Sequence, residues 1–387
     1  MRVEHQVRAF EQIYKNYDGV LPLHRFLFTY FKQNKQMGSS DRRWATRYIY
    51  SFFRLGKALP KLAPIERLAI ADFLCHHTPS LIVESYLADL AGQVTSPLVE
   101  KIALLQKRYA KFKLEDVFPF HEQLSTTIDK NELLQSFFIQ PNLFIRVKGT
   151  HIQAVINQLV ANDIPFEETI ENALSLPNGT KLEEVIPDSR LYQVQDLSSQ
   201  KTGAYFEPAK YDYWWDCCAA SGGKSLLLHD IEPKIELLVS DVRENSLHNL
   251  DERFQLAGIK KYHKKVIDLL QNNDQTLHHY EFDGILLDAP CSGSGTWGRT
   301  PEMLYYFEKY KIENYVKLQK AFAGNVIKYL KPGKPLIYMT CSVFKEENEE
   351  VVRYIEAHFP VKLEKMELIK GYKDKADSMF VARLIKQ

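Results

Sequence analysis

Long apolar runs are missing from this chain. No stretch of about 18 uninterrupted apolar residues occurs in its 387, so no membrane span is expected. The opening stretch, MRVEHQVRAFEQIYKNYDG, is charged throughout and lacks the apolar core of a secretory signal. Cysteine is scarce. The five present are Cys75, Cys217, Cys218, Cys291 and Cys341, an odd number with no CxxC pair. That argues against a disulfide framework and fits a reducing cytoplasm. The cysteines and histidines also lack the spacing of a zinc site, and His76 and His77 read as surface or capping residues. GxGxxG is absent, and GGKS at 222–225 lacks the upstream glycine of a phosphate loop.

A net charge of +1 says little, but its distribution says more. Residues 1–57 hold eleven Lys/Arg against four Asp/Glu, and KIALLQKRYAKFK at 101–113 has five basic residues and no acid. A nucleic-acid partner leaves such a footprint, although a single basic run is more often a solvated helix face.

Three regions differ in pattern. Residues 1–128 space their apolar positions by three and four, as in VRAFEQIYKNY and LPLHRFLFTYFKQ, and no convincing strand interrupts them. Ser39-Ser40-Asp41 is the expected cap of the next helix. This predicts a compact helical domain. Residues 129–190 change character: NLFIRVKG alternates as a strand, THIQAVINQLVAND has helical spacing with Thr150 as cap, and IPFEETI and ALSLP are short strands. A small α+β, RNA-recognition-like module is expected there. From 191 to 387, strands such as YDYWWDCC, IELLVSDV, KKVID, FDGILLDA, PLIYMTC and MFVARLI alternate with helices. That predicts a doubly wound, Rossmann-like α/β sheet with its ligands at the C-terminal strand ends.

Those ends carry the unusual residues. The first strand runs into DCCAASGGKS, where glycines let backbone approach a ligand as a helix opens. A glycine pair alone is a tight turn, and one acid at a strand end is usually a helix cap. Here acids end two successive strands as well: Asp241, placed to hold ribose hydroxyls, and Asp268, placed to reach an adenine amino group. A nucleoside cofactor without a pyrophosphate requirement fits, which points to S-adenosylmethionine. Two later strands each end at a cysteine, in DAPCSGSG (288–295) and in TCS (340–342). A buried, inert thiol is the ordinary state of a free cysteine. An amino-group methyltransferase would show (Asp/Asn)-Pro-Pro-aromatic where this chain has DAPC.

The series VQDLSSQ (194–200), DCCAASGGK (216–224), LLDAPCSGSG (286–295), LKPGKPLIYMTCS (330–342) and ENEEVV (347–352) resembles the RsmB/Sun (NOP2-like) family of RNA (cytosine-5) methyltransferases. The likeness runs in order over roughly residues 138–387; residues 1–128 look, more loosely, like the NusB-like domain of some members. The resemblance implies an enzyme that uses S-adenosylmethionine to methylate cytosine C5 in RNA. Ribosomal RNA is the expected substrate and transfer RNA the alternative. A thiolate adds to C6 so that C5 becomes nucleophilic, and a carboxyl group serves N3. The TCS cysteine, Cys341, is then the nucleophile. Cys291 assists proton removal and release, Asp288 serves N3 from a site where burial raises its pKa, and Lys224 lies near the pocket. DNA cytosine-5 methyltransferases use their Pro-Cys cysteine instead, which makes Cys291 the mechanistic rival.

The cofactor residues carried over are Cys218, Ala219, Ala220, Ser221, Gly222, Gly223, Lys224, Asp241, Asp268 and Asp288. Two departures stand out: Ser221 replaces the usual proline, and Ser378-Met379 replace the usual glycine and phenylalanine. Arg299, Pro301 and Glu302 are expected either to shape an RNA pocket or to form a solvated helix start. Gln195 and Asp196 are expected to order the floor of the site, and Asn348 to lie near it. The protein is expected to be a cytoplasmic monomer without metal. A non-catalytic RNA-binding assembly factor on the same fold is the other reading.

Overall fold

The computed structural model describes residues 3–387, and the chain divides into two compact units. One comprises the chain up to Leu124, with Asp129–Gln140 and Thr296–Lys309. The other comprises Ser125–Ile128, Pro141–Gly295 and Tyr310–Gln387. The divisions expected at 128 and 190 thus fall elsewhere: the small module and the large sheet form one unit, and the helical unit gains a segment from far along the chain.

In the helical unit, the three-and-four spacing delivers helices Val3–Asn16, Leu23–Gln33, Ser39–Arg54, Pro64–Cys75, Leu81–Tyr86 and Leu98–Arg108. Their apolar faces bury Phe10, Phe52, Phe53 and Phe73 completely. The third helix begins at Ser39, three positions before the expected Arg42, so the expected cap residues form its first turn. Gly38 is its N-cap, and Asp41 reaches back to accept from the Gly38 amide at 3.2 Å. Not all of the basic residues face solvent. Lys101 is fully buried and donates to the carbonyls of Phe73 (3.0 Å) and His76 (2.7 Å), capping the end of Pro64–Cys75. Arg67 donates to the carbonyls of Ala58 and Gly56, and Arg54 to that of Phe137. Part of the basic excess is therefore structural. His76 is half-buried as well, 3.0 Å from Ser51 Oγ, and burial lowers its pKa to about 4.

Thr296–Lys309 completes this unit. Trp297 is buried against Phe118, Phe120 and Phe307, with ring centroids 5.5, 6.3 and 4.8 Å away. Arg54 donates to the Gly298 carbonyl at 2.8 Å, and Glu302 accepts from the Leu23 amide at 3.0 Å. Glu302 is therefore neither a pocket residue nor a solvated helix start. It is buried, and Arg299 and Pro301 belong to the same segment.

The second unit holds two sheets. The smaller contains β1 (Leu143–Val147), β2 (Glu167–Glu168), β3 (Ala173–Leu176) and β4 (Tyr192–Val194), in order β2-β3-β1-β4 with antiparallel pairing. Helix Ile152–Ala161 follows β1, and a short helix, Leu182–Val185, follows β3. This is the β-α-β-β-α-β arrangement of ferredoxin-like modules. β4 lies beyond the expected boundary at 190. Thr150 does not cap the helix: Gly149–His151 form a 3₁₀ turn, and His151 occupies the cap position without a side-chain bond.

The larger sheet contains β5 (Tyr213–Asp216), β6 (Glu236–Asp241), β7 (His263–Val266), β8 (Gly284–Asp288), β9 (Pro335–Thr340), β10 (Val361–Ile369) and β11 (Met379–Lys386). Its order is β10-β11-β9-β8-β5-β6-β7. Strands β5 to β9 pair in parallel, while β11 and β10 add antiparallel at one edge. The central strands bury both faces, as parallel strands under helices must. The chain lays β6 and β7 to one side of β5, then returns to lay β8 and β9 on the other. The resulting switch point, at the C-terminal ends of β5 and β8, is where such sheets bind ligands.

Candidate active site

The strand ends converge on one cavity of about 540 Å³. Cys218 and Ala220 after β5, Asp241 at the end of β6, Asp268 after β7, Asp288 and Cys291 after β8, and Cys341 after β9 all line it. Its volume suits a small-molecule ligand. A larger hollow of about 850 Å³, walled by Arg146, Lys201 and Lys373 among others, holds none of these acids or cysteines.

The loop after β5 is built for close approach. Ala220 adopts φ +47° and Gly222 φ +83°, both in the left-handed region. At Gly222 a side chain would also meet Leu250 and Phe254 at 2.9 Å, so glycine is required twice over. The Ala220 amide donates to Asp241 at 3.0 Å, which ties this loop to the end of β6. Asp241 also accepts from the Arg243 amide (2.9 Å) and Nε (3.1 Å). Asp268 accepts from the Leu270 amide at 2.9 Å. A carboxylate has about four acceptor positions, so Asp268, which also accepts from Gln271 Nε2 at 3.4 Å, retains capacity toward donors in the cavity, whereas Asp241, with a further bond from Arg243 Nη2 at 3.4 Å, takes a ligand's hydroxyls only in exchange for bonds from the exposed Arg243 side chain. Two acids on the wall and a small-residue loop fit a nucleoside cofactor. Ser221 shows what its departure from proline does here: its carbonyl and hydroxyl both accept from Arg253, at 3.0 and 3.1 Å. The second of these bonds needs a hydroxyl.

Lys224 opens the helix Gly223–Ile231 and is almost buried. It donates to Asp288 at 3.0 Å and to Ser199 at 2.8 Å, and it lies 3.7 Å from the Met379 sulfur. Asp288, expected in a buried setting, is partly exposed and forms half of an ion pair. Gln195 donates to Ser199 and to the Gly223 carbonyl, while Asp196 caps Leu197–Lys201 and accepts from the Asp377 amide. Both order the floor beneath Lys224.

The two cysteines meet, with their sulfur atoms 3.4 Å apart. Beside them, Gly295 donates its amide to the Cys341 carbonyl at 2.8 Å, and a Cβ there would stand 2.2 Å from the Ser378 carbonyl oxygen. The hydrogen bond to Cys341 pushes the Cys291 thiol well above its usual pKa. Burial and the Cys341 and Glu347 charges act the same way. Asn348 reaches the Ser342 carbonyl at 2.9 Å and accepts from Thr340 Oγ1 at 2.6 Å, bracing the TCS turn.

Three residues went unread in the sequence. Asp216 ends β5 fully buried; one oxygen accepts from Ser225 at 2.6 Å and the other has no hydrogen-bond partner. Burial raises its pKa to about 7. Glu347 lies beneath the cysteine loops, and Ser292, within the first of them, is buried against it. An acid at the end of β5 was legible as a strand-end acid; the roles of Glu347 and Ser292 depend on partners far away in sequence. Among the described residues, no group of three or more His, Cys, Asp or Glu is arranged to hold a metal ion, and no helix is long and apolar enough to cross a membrane.

Residues 204–385 match the family described as 16S rRNA methyltransferase RsmB/F. A ribosomal RNA small subunit methyltransferase B from Enterobacter sp. (strain 638) is 34% identical over 163 residues, covering 41% of this chain and 37% of its own length. Its counterpart from Shewanella oneidensis is 33% identical over 159 residues, again 41% and 37%. The matched part thus spans little more than a third of those relatives. Among solved structures, PH0851 superposes with a TM-score of 0.73 at 20% identity, covering 99% of this chain and 98% of its own. A methyltransferase homolog from Pyrococcus horikoshii gives 0.60 at 21%, covering 74% and 99%. At such identities the likeness is one of fold.

Proposed function

We propose, from the match of residues 204–385 to the RsmB/F methyltransferase family, that the protein methylates cytosine C5 in ribosomal RNA. S-adenosylmethionine is the cofactor, and it supplies an electrophilic methyl group. Asp241 and Asp268 would hold its ribose and adenine, and the loop from Cys218 to Lys224, together with Asp288, the remainder. The observation that carries the reading is the meeting of two cysteines 3.4 Å apart in the cavity that those acids line.

The chemistry follows from the residues. Cytosine C5 is a weak nucleophile. Addition of Cys341 sulfur to C6 forms an S–C bond and moves the C5–C6 π electrons toward C5. N3 takes up a proton through Asp288, which the Lys224 ammonium at 3.0 Å resupplies. Once C5 is methylated, Cys291 assists loss of the C5 proton. The C5–H electrons restore the double bond as the bond to Cys341 breaks. The target base must leave its stack to reach such a cavity. The RNA-recognition-like module and the NusB-like helical unit would hold the RNA through backbone and shape.

Covalent trapping tests the reading. Wild type, Cys291→Ala and Cys341→Ala are incubated with cofactor and with ribosomal or transfer RNA, then run on denaturing gels. Cys291→Ala alone should give a slow-migrating band with ribosomal RNA. A band from Cys341→Ala alone would reverse the two roles. No band, together with no methyl transfer by wild type, would favour a non-catalytic RNA-binding factor.

A further inference from the structure

Glu347 lies beneath the two cysteine loops and is fully buried. One of its oxygens accepts from the Ser292 amide at 2.8 Å and from Gln319 at 3.1 Å. The other accepts from the hydroxyls of Ser292 and Ser342, each at 2.5 Å. Ser292 follows Cys291 and Ser342 follows Cys341, so one carboxylate grips the residue beside each thiol. All four of these donors are neutral. Burying a carboxylate on neutral donors is costly, and a simple loop tie does not require it. Indeed the loops have other ties. Ser294 Oγ lies 3.2 Å from Ser342 Oγ and accepts from the Val343 amide at 2.9 Å, and Gly295 bonds the Cys341 carbonyl. What the acid adds is a direct hold on Ser292 and a negative charge close to Cys291. That charge is one of the causes that raise the Cys291 thiol pKa, after the hydrogen bond to Cys341, burial and the Cys341 charge; burial raises the pKa of Glu347 as well, against the lowering effect of its bonds from Ser292, Ser342 and Gln319.

We propose that Glu347 is a positioning residue: its carboxylate fixes the register in which Cys291 and Cys341 meet and sets which of the two attacks. This rests on the two-cysteine reading above. The Glu347→Gln side chain keeps the shape and loses the charge, while Glu347→Asp keeps the charge and loses reach.

Three quantities decide it: the cofactor dissociation constant, kcat on ribosomal RNA, and the ratio of Cys291 to Cys341 alkylation by iodoacetamide at one fixed pH, read by mass spectrometry. Glu347→Gln should leave cofactor binding within about threefold of wild type, lower kcat by about 30-fold or more, and raise the Cys291 share of alkylation. Glu347→Asp should return the alkylation ratio toward wild type while kcat stays low. Cysteine trapping in Cys291→Ala should slow when Glu347→Gln is added. A kcat within about threefold of wild type overturns the proposal, as does a loss that tracks cofactor binding with the ratio unchanged. The two failures are separable. If wild type transfers no methyl group and Cys291→Ala traps nothing, the cytosine reading falls. The alkylation ratio then decides the clamp alone: a ratio unmoved by Glu347→Gln removes it too.

Discussion

In the helical unit the buried cations Arg54, Arg67 and Lys101 end mainly on main-chain carbonyl oxygens, Arg54 adding one bond to Gln140 Oε1 at 2.7 Å. At the strand ends of the large sheet, the buried charges Lys224 and Glu347 end mainly on side chains of the loops and strands that carry the candidate chemistry, Glu347 adding the Ser292 amide. The first arrangement closes helix ends and turns; once made, it offers nothing to a ligand. The second holds reactive groups in place while leaving Cys291, Cys341 and Asp288 on a cavity wall. Burial of charge therefore signals architecture in one region and a site in the other, and the bonding partner tells the two apart.

That difference can be broken or sharpened experimentally. The largest effect is expected for Cys341→Ala: methyl transfer should fall by about 10⁴-fold or more in a labelled-methyl assay, with the melting temperature unchanged. Trp297→Ala tests the other side. Emptying its site among Phe118, Phe120 and Phe307 should cost about 3–5 kcal/mol, read as lost amide protection in Ser39–Arg54 with β5 and β8 unaffected. Asp216 gives a pH signature. Its folded-state pKa, raised to about 7 by burial, lies above the unfolded value, so the folded state binds the extra proton. Stability is fullest below the unfolded pKa and is lost as pH rises toward about 7. Urea melts should show a decline of about 3 kcal/mol between pH 5 and pH 8 that Asp216→Asn abolishes. Asp241→Ala should weaken cofactor binding by about 10- to 100-fold in calorimetry, without a change in fold. The smallest effect is expected for Lys101→Met. It leaves two carbonyls at a helix end without their donor and should cost about 1–2 kcal/mol in denaturant melts, with kcat intact.

The strand-end acids and cysteines were legible because each stands beside its own strand and glycine turn, a local pattern. The parallel order of β5 to β9 followed from alternation of strand and helix. β10 was not legible. In VKLEKMELI every second residue is charged or exposed, as an antiparallel edge strand with a wet face allows, and such a stretch reads as a surface loop. Lys101 was misread because helical spacing does not say which cation turns inward. Glu347 lay within a quoted motif, yet its bonds run to Ser292, 55 residues back, and to Ser342, 5 residues back. No local pattern links the three. The move of Thr296–Lys309 into the helical unit was hidden for the same reason: its aromatic residues find their partners hundreds of positions away, as Tyr306 does with Tyr17.

That segment has a consequence for synthesis. The main segments of the helical unit are made before the large sheet, but its core lacks Trp297, Tyr305 and Tyr306 until the ribosome has passed Lys309. At 5–20 residues per second, the stretch between Gln140 and Thr296 takes about 10–30 s to translate. For that interval the aromatic faces of Phe52, Phe53 and Phe118 stay partly wet, exposed to chaperones and to neighbouring nascent chains. The helical unit, begun before the large sheet, is thus finished only after most of that sheet has been made.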